Sequence, residues 1–147
     1  LGFEPGRSIV ANCGSLITKV IYVKHVINKR FIIVDAGMND LIRPTLYEAY
    51  HRIDNLQERG DIRELSDIVG PICETGDYLA KDRLMPPVEA GDYLAVRGVG
   101  AYGAVMMSNY NTRPEASEII CYKGGIHLIR PRRTVEQLIK MDVNPFK

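Results

Sequence analysis

Residues 16–34 run Leu16-Ile17-Thr18-Lys19-Val20-Ile21-Tyr22-Val23-Lys24-His25-Val26, then Ile27 and the polar Asn28-Lys29-Arg30, then Phe31-Ile32-Ile33-Val34. β-Branched and aromatic residues dominate both arms, and they favour a pleated, half-buried surface over a helix. The stretch therefore predicts a β-hairpin turning at Asn28-Lys29-Arg30. The same grammar recurs downstream. Glu118 to Tyr122 and Ile126 to Ile129 flank Lys123-Gly124-Gly125, a second hairpin signal. Pro86-Pro87 and Glu89-Ala90-Gly91-Asp92 punctuate the approach to a strand over Tyr93 to Val96. Asn55 to Asp67, with Glu58, Arg59, Asp61, Arg63 and Glu64 around Gly60, reads as a solvated loop. Short strands separated by turn clusters at roughly 8–12 residues predict a mainly β chain, an antiparallel sandwich or barrel. The helices expected are short and few. Ser8 caps one that Gly14 ends in the left-handed conformation, Arg43-Pro44 opens another, and Thr134 to Met141 closes the chain with Val135, Leu138 and Ile139 on one face.

The chain has 147 residues, with 19 Lys+Arg against 18 Asp+Glu and no Trp. A unit of this size buries roughly 68–70% of its unfolded surface, enough for a core without disulfide or metal staples. A net charge of +1 gives no overall attraction to nucleic acid or an anionic membrane, and no basic run carries interleaved aromatics, so a nucleic-acid-binding barrel is disfavoured. No apolar run approaches the ~20 residues of a membrane span, and residues 1–7 lack the pattern of a signal peptide. Cys13, Cys73 and Cys121 are odd in number and form no C-x-x-C pair, so reduced thiols and a cytoplasmic setting are expected. Cys13 and Cys121 read as core. His25, His51 and His127 have no ligand spacing, and no metal site is expected. The first residue is Leu1, not an initiator Met, which gives the start the look of a cut edge.

Four places offer chemistry. Glu4-Pro5-Gly6-Arg7 is a Pro-Gly turn with an Arg, most simply a surface turn. Arg43 and Tyr47 are four apart at a helix start, so they share a face and can present a cation and a hydroxyl to one anion; a solvent-facing Arg beside a core-edge Tyr is the plainer alternative. Cys73-Glu74 lies in a loop framed by Gly70, Pro71 and Gly76. A neighbouring carboxylate favours the protonated thiol, which suits a proton donor better than a nucleophile, although a half-buried thiol beside a surface Glu satisfies the sequence equally. Gly98-Val99-Gly100-Ala101-Tyr102-Gly103 sets one phenol among nearly bare backbone, where a phosphate can approach. No Gly-Lys-Ser/Thr follows, so this is not a P-loop.

The order and joint occurrence of these segments carry more than each alone. Glu4-Pro5-Gly6-Arg7-Ser8, Asp35-Ala36-Gly37-Met38-Asn39-Asp40-Leu41-Ile42-Arg43-Pro44 with Tyr47, Gly70-Pro71-Ile72-Cys73-Glu74-Thr75-Gly76-Asp77, and Gly100-Ala101-Tyr102-Gly103 with Asn109-Tyr110-Asn111-Thr112-Arg113-Pro114 together resemble the diaminopimelate decarboxylases. The resemblance implies a pyridoxal 5'-phosphate enzyme of the alanine-racemase-like fold (fold type III), in which a (β/α)₈ barrel carries the cofactor and a C-terminal β-domain completes the site. Residues 1–15 then correspond to the last strand-to-helix turn of a missing barrel and residues 16–147 to the β-domain. The lysine that anchors the cofactor has no counterpart here, so the chain alone is expected to be inactive. By the same resemblance, Glu4, Pro5, Gly6, Arg7 and Tyr102 face the cofactor. Arg7, Arg43, Tyr47, Glu74 and Tyr102 bind substrate, with Arg43 and Tyr47 at its distal carboxylate and Glu74 at its distal ammonium. Cys73 is the implied acid that reprotonates the α-carbon. It implies a homodimer in which Cys73 and Glu74 enter the partner's site, and the decarboxylation of meso-diaminopimelate to L-lysine. Relatives acting on ornithine, arginine or carboxynorspermidine, and a non-catalytic dimerisation domain, are the alternatives.

Overall fold

The computed structural model describes residues 1–146; Lys147, the last residue of the expected β-domain, lies outside them. The chain is mainly β. Strands β1 (Ser15–Val26) and β2 (Lys29–Val34) form the expected hairpin, paired from Val20↔Val34 to Val26↔Lys29, with a bulge between Val20 and Tyr22. The turn is tighter than expected. Only Ile27 and Asn28 lie between the strands, Asn28 taking φ of 64°, while Lys29 and Arg30 belong to β2.

After β2 the chain leaves this edge. It passes through α2 (Arg43–Tyr47; α1 is Arg7–Val10) and through β3 (Ile53–Asn55), which pairs with β6 (Tyr93–Arg97) on the far side of β1. It then returns as β4 (Glu64–Val69), alongside β2 and parallel to it, and β5 (Tyr78–Met85) closes the order β3-β6-β1-β2-β4-β5. A parallel pair needs a crossover connection, and residues 35–63 provide one. The expected sheet was antiparallel throughout; this one pair departs from it. The supposed loop Asn55 to Asp67 is the end of β3, a connection, and the first four residues of β4.

The inward residues of the six-stranded sheet meet in one core. Val20, Ile32, Val34, Ile68, Leu94 and Val96 are completely buried. Each such side chain contributes about 1.5–3 kcal/mol relative to remaining in water. Among the charged residues buried in the fold, Arg30 is 3% exposed. Its Nε donates to Ser66 Oγ at 2.7 Å and its Nη2 to the Met85 carbonyl at 2.7 Å, so one side chain ties β2 to β4 and β5. The polar look of Asn28-Lys29-Arg30 is therefore partly a strand stitched to its neighbours. Lys29 likewise pairs with Asp67 at 2.8 Å and Asp82 at 2.7 Å.

A separate hairpin, β7 (Glu118–Tyr122) with β8 (Gly125–Arg130), turns at Lys123 and Gly124, both with positive φ. Its Ile119, Leu128 and Ile129 side chains are exposed. Cys121 sits on this ribbon and is exposed, as is Cys13; neither is a core residue, because the surfaces around them have no cover within the described residues. The closing helix α3 (Val135–Ile139) starts at Thr134 with a reciprocal capping box to Gln137, and it buries Leu138 while Val135 and Ile139 stay exposed. At the other end, Gly6, not Ser8, precedes α1, and Gly14 is extended at φ of −105°.

Candidate active site

The Gly-rich loop 98–103 rests on the turn that follows α1. Gly100 N–H donates to the Ala11 carbonyl at 2.9 Å and Val99 N–H to that of Gly14 at 3.2 Å. The approach is so close that a Cβ on Gly100 would lie 2.0 Å from the Val10 carbonyl oxygen. Gly6 has an equivalent role one turn earlier, since a Cβ there would lie 2.5 Å from the Tyr102 hydroxyl. The two weak sequence signals around Arg7 and Tyr102 are thus one place in space. Glu4 and Pro5 precede it on the exposed surface.

Helix α2 starts with Pro44 in its first turn, and Arg43 places its guanidinium carbon 5.6 Å from the centre of the Tyr47 ring. Arg43 is only 7% exposed and Tyr47 is 58% exposed, so the Arg is not a solvent-facing residue. Arg43 lines a cavity of about 590 Å³ together with Arg7, Asn12, Tyr50, His51 and Arg97. Its Nε is buried and has no hydrogen-bond partner among the described residues; the same holds for His51 Nε2. His51 Nδ1 lies 2.9 Å from the Arg97 carbonyl, which can only accept, so the proton resides on Nδ1 and Nε2 is left as an acceptor. Burial is the main cause that pushes the His51 pKa down, and the charges of Arg43, Arg7 and Arg83 add to it. The cavity therefore presents guanidinium donors around a neutral imidazole, an environment for a carboxylate or phosphate.

The loop carrying Cys73 and Glu74 is fixed from below. Asp77, 5% exposed, accepts Met38 N–H on Oδ1 and Ile72 N–H on Oδ2, each at 2.6 Å. Its backbone bonds Gly70 at 3.0 Å, and Thr45 of α2 donates its hydroxyl to the Gly76 carbonyl. Cys73 is exposed. The Glu74 carboxylate receives the Tyr110 hydroxyl on Oε2 at 3.2 Å and the Gly76 N–H on Oε1 at 3.4 Å. Among the described residues, Cys73 and Glu74 do not line the cavity of Arg7 and Arg43; α2 stands between the two groups, joined to one by Arg43 and to the other by Thr45.

Three contributors have no assigned part in the sequence reading: Asp77, His51 and Tyr110. The only signal for Tyr110 was its place in Asn109-Tyr110-Asn111-Thr112-Arg113-Pro114. That segment is bolted down by Arg113, whose Nε donates to Asn39 Oδ1 at 3.1 Å and whose Nη2 donates to the Asp35 carbonyl at 2.6 Å. Asn109 Nδ2 closes the segment on the Arg113 carbonyl at 2.9 Å.

Comparison with known proteins adds to this geometry. A family model described as the pyridoxal-dependent decarboxylase C-terminal sheet domain matches residues 8–100. The chain is 56% identical over 138 residues to the diaminopimelate decarboxylase of Pseudomonas aeruginosa, covering 94% of this chain and 33% of that protein. With the Aquifex aeolicus diaminopimelate decarboxylase it shares 52% identity over 137 residues, 93% of this chain and 33% of the relative. The crystal structure of diaminopimelate decarboxylase from Helicobacter pylori complexed with L-lysine superposes with a TM-score of 0.87 at 48% identity, covering 94% of this chain and 34% of that one. The chain spans about a third of the length of these relatives.

Proposed function

Since the chain belongs to the pyridoxal-dependent decarboxylases, as their C-terminal sheet domain, we propose that it completes the active site of an enzyme converting meso-diaminopimelate to L-lysine and carbon dioxide. The observation that carries this reading is the cavity shared by Arg7 and the buried Arg43, whose Nε is unspent. The rest of the polypeptide then supplies a (β/α)₈ barrel with the anchoring lysine. Residues 1–15 continue that barrel and residues 16–147 form the β-domain, so this chain has no turnover by itself.

The residues present fit pyridoxal phosphate. Arg7 offers guanidinium donors, and Gly6 leaves room for the Tyr102 hydroxyl one residue away, a donor set suited to the phosphate. Glu4 and Pro5 shape the turn that presents them. When bound, the cofactor supplies an electron sink for the pair released as the carbon–carbon bond breaks. The side chains of this chain do the rest. Arg7 and Tyr102 orient the reacting end, Arg43 and Tyr47 hold the distal carboxylate, and Glu74 pairs with the distal ammonium. Cys73 Sγ gives its proton to the α-carbon in place of the departed carboxylate and regains one from solvent.

The exposed position of Cys73 and Glu74, away from their own chain's Arg7–Arg43 cavity, supports a homodimer in which each loop serves the partner's site. Unpaired thiols suit a reducing, cytoplasmic setting. A substrate panel on the full-length enzyme tests the reading. Diaminopimelate is expected to be preferred over ornithine and arginine by at least about 100-fold in kcat/KM, because a substrate without the distal carboxylate leaves Arg43 unpaired. Equal or better turnover of ornithine or arginine would overturn it.

A further inference from the structure

The proposed mechanism leaves the phenol of Tyr110 without a task. Its hydroxyl lies 3.2 Å from Glu74 Oε2, 36 residues away in sequence. The segment beneath it is rigidly tied: Ser108 N–H donates to the Asn39 carbonyl at 3.0 Å, and Arg113 clamps the same turn through Asn39 and the Asp35 carbonyl. Arg133 Nη2 also donates to Asn109 Oδ1 at 3.1 Å. The turn of residues 35–40 also gives Met38 N–H to Asp77, the residue that sets the Cys73–Glu74 loop. Both partners of the Tyr110–Glu74 bond are therefore mounted on one base.

We infer that Tyr110 is a positioning and specificity-determining residue, whose hydroxyl fixes the Glu74 carboxylate in the orientation that receives the substrate's distal ammonium. The inference rests on the diaminopimelate reading and deepens it. A lone Glu side chain on an exposed loop has several free torsions, and the Gly76 N–H at 3.4 Å is a weak hold on Oε1. The phenol removes that freedom. It occupies one lone pair of Oε2 and leaves the remaining lone pairs of the carboxylate open to an ammonium. The neighbouring carboxylate also holds the Tyr110 pKa above its ordinary value, so the phenol keeps the proton it donates.

Tyr110→Phe in the full-length enzyme keeps the ring and removes only the hydroxyl. Its KM for diaminopimelate is expected to rise on the order of tenfold, the size of one hydrogen bond to a charged group, with kcat within about threefold of normal. Competitive inhibition by 2-aminopimelate, which keeps both carboxylates and lacks the distal amine, should be unchanged. In a Glu74→Gln background the same substitution should add less than about twofold, since the two residues act as one unit. A fall in kcat at constant KM, an equal loss of 2-aminopimelate affinity, or full additivity with Glu74→Gln would each overturn the inference. An unaltered enzyme that turns over diaminopimelate normally beside an unaffected Tyr110→Phe variant sinks this inference alone. An unaltered enzyme with no diaminopimelate turnover sinks the functional reading and this inference together.

Discussion

His51 shows how a single residue takes its character from its surroundings. It is 6% exposed, and burial first, then the Arg43, Arg7 and Arg83 charges, hold its pKa below the ordinary 6.5. The unfolded chain therefore binds a proton near pH 6.5 that the folded chain refuses. Its contribution to stability is complete above the unfolded pKa and is lost as pH falls through that value toward the folded one, with a slope approaching about 1.4 kcal/mol per pH unit. Denaturant titrations of the full-length enzyme on either side of pH 6.5 check this: His51→Asn should flatten the slope, and an identical slope in both proteins would show that the imidazole titrates elsewhere. Nothing local marks this residue, since its partner is the Arg97 carbonyl of β6 and its perturbers sit on α1, α2 and β5. Arg43 with Tyr47 and Cys73 with Glu74 were readable because each pair is local. Tyr110 and Asp77 were not, because what defines them is a contact across the fold.

At the level of elements, the hairpins and the capped closing helix follow from local chemistry: alternating β-branched residues, a Lys-Gly turn, and Thr134 facing Gln137. The β2–β4 pairing does not, since nothing within residues 53–69 records that the chain has crossed to the far edge of the sheet and come back. Charge also disguised strands. Asp67, 7% exposed, accepts the Asp82 N–H at 2.7 Å and pairs with Lys29, so a strand residue resembled a loop residue and its partner resembled part of a turn. Arg30 is the decisive member of this group. Arg30→Ala leaves the Met85 carbonyl without its buried donor and Ser66 Oγ with only its bond to the Glu64 carbonyl, and a loss of about 1–3 kcal/mol is expected in equilibrium unfolding. A loss below about 1 kcal/mol would mean that water reaches those groups, and the stitch across β2, β4 and β5 would then be dispensable.

For the whole molecule, the separation of Cys73 from the Arg7–Arg43 cavity becomes a question about copies. Cys73→Ala and Arg43→Ala enzymes should each be nearly inactive. Co-expressed, they should recover activity, because in the proposed homodimer a mixed pair holds one site with Arg43 from one subunit and Cys73 from the other. Random pairing gives about a quarter of the unaltered activity. Recovery below a few per cent in verified mixed dimers would place both residues in the same subunit's site. The link between the two groups is the short helix α2, with Arg43 at its first position and Thr45 holding Gly76. On the proposed homodimer, shifting this helix to suit a longer or shorter substrate would pull the Cys73 loop with it through Thr45 and disturb the partner's centre. On that reading, a change of preferred amino acid is expected to come from exchanged side chains on a stationary frame.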